Sequence, residues 1–460
     1  MEKRKKRNII IISIASSLCI LLVIYFGMSI YFTNHFYYGS EINSISVSGK
    51  SVSEVEEQMP EELRSYTLKL EGRGGMQEEI RGEDINLLYN PDWEVKRLKD
   101  KQNPFQWIVS LFNKDDNKMT EELIYDTYLL KEQIDKLSCF DNSKLVEPKS
   151  PSFQYTDDGY VILNEVKGNK VNRDILYDEV IDKISKGEIT LDLEIVNCYE
   201  EPKYNSSSQE VIDTKNMLNK YVGSKITYNI GGKEEILSGS TIKNWIIINE
   251  NLEITFDEAK IRSYLEIFSN TYNTVGKIRN FTTSMGNSIQ VSGGDYGWLI
   301  DSDEELQSLI TVIKEGQTTN KEPIYSQTAK SHEGNDIGNS YVEIDMSNQH
   351  LWFYKDGSLI VEGDVVTGNI SNNTSTPVGV YKLKYKQKDA TLKGEGYSVP
   401  VSYWMPFNGG IGIHDAVWRG IFGGDIYRTG GSHGCINAPY TLANTIFNNI
   451  DEGTPIICFY

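Results

Sequence analysis

Near the end of this 460-residue chain a cysteine sits in a run of small residues, Gly430-Gly431-Ser432-His433-Gly434-Cys435-Ile436-Asn437. A second histidine lies upstream, in Gly410-Ile411-Gly412-Ile413-His414-Asp415. A thiolate is the reactive form of cysteine, and an unperturbed thiol has a pKa of about 8.5. A histidine close in space can take its proton and leave an ion pair with an activated nucleophile. Glycines around the thiol let backbone approach an acyl group closely. The amides of Gly434 and Cys435 are candidates to stabilise a tetrahedral oxyanion. The plainer reading is a buried cysteine in a turn beside structural histidines. Against it, the chain has only five histidines, two of which flank this cysteine in a run too glycine-rich for ordinary core.

These groups need a scaffold, and the sequence around them is strand-like. From Tyr341, Val342, Ile344 and Met346 alternate with polar positions. Leu351-Trp352-Phe353-Tyr354 follows, then the turn Lys355-Asp356-Gly357-Ser358, then a second arm over 359–366. Alternation plus turn chemistry predicts a β-hairpin. A further strand is expected over 379–383, a loop over the Gly-, Tyr- and Pro-rich 394–406, a helix over 440–450 and a last strand over 455–459. Met405 and Trp352 are expected in the core.

Upstream, helical and strand-like pieces alternate. Over 40–205 the pattern predicts helices at 52–63, 105–112, 121–137 and 173–184, with strands at 66–70, 80–89, 160–166 and 189–196 and a turn at Asn90-Pro91. Ile175, Leu176, Val180 and Ile184 are expected on one face of the helix that Gly187 ends. Over 206–326 the order recurs, with helices at 211–221, 256–268 and 304–314, the last capped by Asp301 and ended by Gly316. This reads as two copies of one α+β module. The polar stretch 327–339 reads as a linker. The fold class is therefore α+β multidomain: two modules, then a mainly-β domain over 340–460.

The N-terminus adds an element. Lys3, Arg4, Lys5, Lys6 and Arg7 form a basic tail over 1–8, followed by a stretch without charge over 9–32. A helix of that length crosses a ~30 Å hydrocarbon core. The basic flank places the N-terminus in the cytoplasm and the remainder outside. Aromatic residues from Tyr25 to Tyr38 form an interface belt, so an uncleaved anchor is expected rather than a signal peptide. The formal net charge is −19, and outside the N-terminus there is no block of Lys and Arg, so nucleic acid is not an expected partner. The five cysteines form no CxxC pair, which argues against a zinc site. Cys139 and Cys198 are open to pairing.

The C-terminal residues resemble the L,D-transpeptidases of bacterial cell walls. Ile344-Asp345-Met346-Ser347-Asn348-Gln349-His350-Leu351 is similar to the family's opening strand and turn. Thr376-Pro377-Val378-Gly379 resembles its Thr-Pro-x-Gly element. Gly412-Ile413-His414-Asp415 with Ser432-His433-Gly434-Cys435-Ile436-Asn437 resembles its catalytic signature. The likeness covers 340–460. The upstream modules resemble the peptidoglycan-binding-like domains of membrane-anchored Gram-positive members, and Trp404-Met405-Pro406-Phe407-Asn408-Gly409-Gly410 resembles the enterococcal-type branch.

The resemblance implies a reaction. Cys435 attacks the carbonyl of the third residue of a tetrapeptide stem and expels the terminal D-Ala. An amine of a neighbouring stem then resolves the thioester into a 3→3 cross-link. His414 is implied as base and later acid, oriented by Asp415 or by a nearby backbone carbonyl. Ser432, His433 and Gly434 line the oxyanion site, with His433 the alternative base, and Asn437 steadies the loop. Tyr397, Trp404, Trp418 and Arg428 are candidates to hold the stem, each equally open to loop packing. No metal or organic cofactor is implied. Carbapenems are expected to acylate the cysteine.

Three rival readings compete with this one. A sortase would carry a different cysteine strand and a later arginine. A Cys-His wall hydrolase or carboxypeptidase would share these groups. A wall-binding protein without activity would not need Cys435 or His414. The acceptor amine, from diaminopimelate or a branched lysine, is not legible.

Overall fold

The computed structural model describes residues 2–90, 94–112, 118–119, 123–394 and 397–460. Pro91 and residues 121–122, on which an expected turn and helix start fall, lie outside them. The chain divides into two compact units, Met1–Phe153 with Ile162–Val211, and Gln154–Val161 with Ile212–Tyr460.

The first unit begins with a helix, Glu2–Asn34, the one described helix long and apolar enough to cross a membrane. Its C-terminal end is packed: Phe32 is buried, and its ring lies 6.1 Å from that of Trp107. The region expected as one helix over 105–112 is a 3-10 turn, Pro104–Gln106, running into a short helix, Trp107–Ser110. The first module pairs strands Thr67–Gly72 and Met76–Arg81 antiparallel. Thr190–Asp192 returns parallel to the first of them. The returning segment follows helix Arg173–Lys186, capped by the Asn172 side chain and closed by Gly187 at φ 68°. Leu176, Val180 and Ile184 face the core, whereas Ile175 is exposed. At 100° per residue, Ile175 sits one position off the buried stripe. The helix expected over 121–137 is Thr127–Asp135 in the described residues, with a two-residue strand, Leu123–Ile124, before it. Cys139 and Cys198 are free thiols, both pushed up to about 11 by burial.

The second module repeats the topology. Lys225–Ile230 and Lys233–Leu237 form the hairpin, and Thr318–Lys321 returns parallel to its first strand. Helix Ser302–Glu315 precedes the return, with Asp301 accepting the Glu304 N–H at its start and Gly316 at φ 72° at its end. In both copies the parallel strand extends the hairpin into a three-stranded sheet, and the helix before it packs on the sheet's apolar side chains.

The second unit also contains the mainly-β domain, whose strands are numbered β1 to β9 here. β1 is Tyr341–Asp345, β2 His350–Lys355, β3 Ser358–Asp364, β4 Gly379–Lys382 and β5 Gln387–Gly394. β6 is Tyr397–Asn408, β7 Ile411–Asp415, β8 Ile436–Ala438 and β9 Pro455–Phe459. One sheet runs β3-β2-β1-β9-β4 and the other β5-β6-β7-β8. Their inner faces share a core that includes Ile344, Leu351, Phe353, Met405, Ile413, Ile436 and Ile456, closed by helix Tyr440–Asn449. Trp352 is buried as well.

The expected loop over 394–406 is instead most of β6. It pairs with β5 on one side and β7 on the other. Tyr403, Met405 and Phe407 alternate into the shared core, and that apolar period outweighs the Pro and Gly content. The stretch 327–339 is irregular but anchored. The Trp298 indole N–H donates to Ser331 O (2.8 Å), the Tyr296 hydroxyl to Asp336 O (2.8 Å), and Arg279 pairs with Asp336 at 2.7 Å, both side chains buried.

Candidate active site

β7 and β8 run parallel, with Ile413 opposite Ile436 and His414 opposite Asn437. Ile413 and Ile436 are fully buried in the core. Side chains alternate along a strand, so His414 and Asn437 project to the other face, joined there by Cys435 at the head of β8. The Cys435 thiol lies against the backbone of the turn into β7. Its sulfur is 3.5 Å from Gly410 O, and the Gly412 amide bonds to it. Gly412 has no room for a side chain: a Cβ there would meet Met405 O at 2.6 Å and the Trp404 ring at 2.7 Å.

His414 is 3 % exposed. Its Nδ1 is 2.8 Å from the backbone carbonyl of Asp415. The Asp415 carboxylate points elsewhere and accepts the Tyr403 N–H at 2.8 Å. Of the two orienting groups the sequence left open, the carbonyl faces the ring and the carboxylate braces β6 against β7. Oriented to satisfy its neighbours, the Asn437 amide donates to His414 Nε2 at 3.1 Å and accepts from Arg419 Nε at 2.8 Å and Nη2 at 3.2 Å. Nδ1 is thus the protonated nitrogen and Nε2 carries the lone pair.

Burial pushes the His414 pKa down, a shift the Asp415 carbonyl and carboxylate oppose and the Arg419 charge reinforces. Burial pushes the Cys435 thiol up, partly countered by the Gly412 amide. Both directions favour thiol plus neutral imidazole over the ion pair anticipated from residue types.

The turn before Cys435 is stitched internally. The Gly434 N–H donates to Ser432 Oγ (3.0 Å), whose hydroxyl donates to Cys435 O (2.6 Å). The Gly434 amide, expected to face an oxyanion, is therefore taken by Ser432. Gly434 holds φ at 113°, and a Cβ would press on the Ile411 side chain at 3.0 Å. Outer support comes from the Thr376 hydroxyl, which donates to Gly434 O (2.7 Å) and accepts the Gly368 N–H (3.0 Å). The Thr374 hydroxyl donates to Ser432 O at 3.0 Å. The Thr-Pro-x-Gly element thus braces the cysteine turn.

The remaining candidates divide. Trp404 is buried, opposite His414 in register, with ring centroids 6.0 Å apart. Trp418 is 50 % exposed and 5.9 Å from the His414 ring, so it forms an open wall of the site. His433 is exposed on the turn. Arg428 is on the surface and pairs with Asp425 at 2.6 Å. Tyr397 begins β6; its side chain lies outside the described residues. Sequence reading missed Arg419, Thr374 and Thr376 as supports. Thr376 carried a signal through its motif, but Arg419 carried none, because only the β7–β8 register brings it to Asn437.

A thiol and a neutral imidazole on one sheet face, lined by backbone amides, define the class: a candidate for acyl transfer through cysteine. The comparisons place it more narrowly. A family model described as the L,D-transpeptidase catalytic domain, YkuD, matches residues 339–458. One described as "Putative peptidoglycan binding domain" matches 79–192 and 204–321. The chain belongs to the L,D-transpeptidase family, with a YkuD catalytic domain behind two peptidoglycan-binding-like domains.

Among solved structures, a cysteine-to-serine mutant of an Enterococcus faecium L,D-transpeptidase is 35% identical over 55% of this chain and 100% of its own, with a TM-score of 0.46. An Ldtfm-avibactam carbamoyl enzyme is 35% identical over 54% of this chain and 99% of its own, TM-score 0.46. The E. faecium catalytic domain acylated by ertapenem is 45% identical over 26% of this chain and 98% of its own, TM-score 0.25. No curated protein matches.

Proposed function

We propose that this protein forms 3→3 cross-links in peptidoglycan through a Cys435 thioester. The observation that carries the proposal is that the Cys435 thiol and the buried His414 project to the same sheet face, with the Nε2 lone pair of His414 on that side. In the first half-reaction His414 Nε2 takes the thiol proton as sulfur attacks the carbonyl of the third stem residue. The tetrahedral oxyanion forms beside the cysteine turn. With the Gly434 amide held by Ser432, the Cys435 amide is the donor left to meet it. His414 then returns the proton to the departing amine, and D-Ala leaves. In the second half-reaction a side-chain amine of a neighbouring stem attacks the thioester and gives a proton to His414; the C–S bond breaks, the new amide forms, and His414 returns the proton to the Cys435 sulfur. Trp418 forms the wall against which a stem lies, while Trp404 holds the imidazole plane. Arg428, engaged with Asp425, has a weaker claim to a stem carboxylate.

The helix Glu2–Asn34 would serve as a membrane anchor holding the catalytic domain at the wall, and the two modules would bind the polymer. Supporting the anchor is one continuous helix whose first turns carry the basic residues Lys3 to Arg7. A β-lactam of the carbapenem kind presents a strained acyl group to the same thiol and is expected to acylate it. A carboxypeptidase would use the same acyl-enzyme with water as acceptor. The test is product analysis on a disaccharide-tetrapeptide: a cross-linked dimer lacking one D-Ala supports transfer, and tripeptide alone supports hydrolysis.

A further inference from the structure

We propose that Arg419 is a positioning residue that fixes the tautomer of His414 through Asn437. Donor and acceptor inventories decide the assignment. A guanidinium has five N–H donors and no acceptor. Arg419 Nε and Nη2 both face the Asn437 amide, at 2.8 Å and 3.2 Å. The atom facing them must be the amide oxygen. The amide nitrogen therefore faces His414 Nε2, at 3.1 Å, and a nitrogen receiving an N–H must offer its lone pair. The other ring nitrogen, 2.8 Å from Asp415 O, must carry the proton. Two acceptor-only or donor-only groups, one at each end, thus leave the neutral Nδ1–H imidazole as the form that satisfies every contact.

Protonating Nε2 breaks this pattern. Its new N–H would face the Asn437 NH2. Rotating the amide to cure that clash would turn the NH2 onto the guanidinium, donor against donor. Arg419 thereby makes the imidazolium costly at rest and keeps the base available. Its own place is set by the turn after β7, where the Arg419 N–H donates to Ala416 O (3.0 Å), and by Nη2, which donates to Gly430 O (2.9 Å) ahead of the cysteine turn. The charged groups facing His414 are Asp415 on its own strand and Arg419 on the following turn; Cys435, at the head of β8, shares its sheet face, and β6 presents Trp404. During catalysis the substrate amine or the thiol displaces the Asn437 amide from Nε2. The relay therefore describes the waiting enzyme.

This inference concerns the same site as the proposed transpeptidase reaction and deepens that reading, but its test is independent of turnover. The full chain, with ring-15N-labelled histidine, is embedded in lipid nanodiscs. His414→Gln identifies the His414 signals. The wild-type resonance should show a pyrrole-type Nδ1 and an unprotonated Nε2. Arg419→Gln offers Asn437 both a donor and an acceptor, so it permits the amide to rotate. The His414 midpoint should then rise by about 1 unit, a roughly tenfold gain in proton affinity. Arg419→Lys keeps an all-donor cation and should retain the Nδ1–H tautomer. In an Asn437→Ala background, Arg419→Gln should shift the midpoint by less than half as much. A wild-type Nε2–H tautomer would overturn the inference. So would an unshifted midpoint in a folded Arg419→Gln protein, or an equal shift with and without Asn437. If Arg419→Gln does not fold, loss of the Nδ1–H tautomer in Arg419→Lys overturns it and retention supports it. Carbapenem acylation is scored separately: a protein with the expected tautomer and no adduct would refute the catalytic reading and leave the relay standing.

Discussion

His414 and Cys435 are tuned in opposite directions by the same burial, one pKa down and the other up. Acylation needs the neutral imidazole, so its rate should fall as pH drops through the His414 midpoint. Because that midpoint lies below the ordinary histidine value, the rate should hold to lower pH than an unperturbed histidine would allow. Carbapenem acylation followed from pH 4.5 to 8 checks this, and an acid limb centred above pH 6.5, the ordinary value, contradicts it. His414→Ala should cost at least ~100-fold in acylation rate, measured by stopped-flow; a small loss would move the base role to His433. Thr376→Val removes the hydroxyl bridging Gly434 O and Gly368 N–H. Leaving that buried amide unpaired should cost about 1–3 kcal/mol, read as a lowered melting midpoint, with slower acylation. The residue types at the site were legible because cysteine and histidine are scarce and the glycines unusual. The roles of Ser432 and Arg419 were not, and the choice between the Asp415 carboxylate and a backbone carbonyl stayed open. They depend on which atoms meet across β7, β8 and the cysteine turn, and that is a matter of register.

Among elements, the hairpin of Arg279–Thr282 and Ser288–Val291 matters most for where the catalytic domain ends. It lies in sequence within the second module. Yet Phe281, Val291 and Tyr296 pack with Val380, Ile457 and Phe459 of the catalytic sheet. The Tyr296 N–H donates to Val380 O (3.1 Å), and the Val380 N–H to Gly293 O (3.1 Å). Glu343, 0 % exposed on β1, accepts the Ser284 N–H at 2.8 Å and its hydroxyl at 2.6 Å. A fragment starting at residue 340 should therefore melt lower than one starting at residue 274, by roughly 10 °C for ~2 kcal/mol of uncovered apolar surface. Equal melting would show the hairpin to be dispensable.

Glu343 adds a pH term. Burial raises its pKa in the fold despite the Ser284 bonds, so the folded state binds its proton more tightly than the unfolded chain. That contribution is full below the ordinary carboxylate pKa and is lost as pH rises through the raised one. Glu343→Gln should thus flatten the decline in melting temperature between pH 4.5 and 7.5; a wild-type curve parallel to the variant's would contradict it. The hairpin's allegiance was not legible, since periodicity reports a strand's faces and not its partner. The strand β6 was missed for the converse reason: its Pro and Gly drew attention from the alternation of Tyr403, Met405 and Phe407.

At the scale of the whole molecule, the repeat was legible because each copy ends a helix at a left-handed glycine, Gly187 or Gly316, before a strand parallel to the hairpin. Multidomain order was legible for the same reason. Boundaries inside the second unit were not, because polar residues such as Ser331 and Asp336 look like linker yet bond into the fold. If the modules hold polymer, deleting residues 40–205 should spare carbapenem acylation but lower activity on intact sacculi by about tenfold or more through lost effective concentration.

The measurement closest to the central claim is the intact mass of the detergent-solubilised full chain after incubation with a carbapenem, and in parallel with a disaccharide-tetrapeptide. The account predicts one adduct, mapped to Cys435 and absent from Cys435→Ala, and a stem dimer short of one D-Ala. A folded protein that gives neither adduct nor dimer would contradict it.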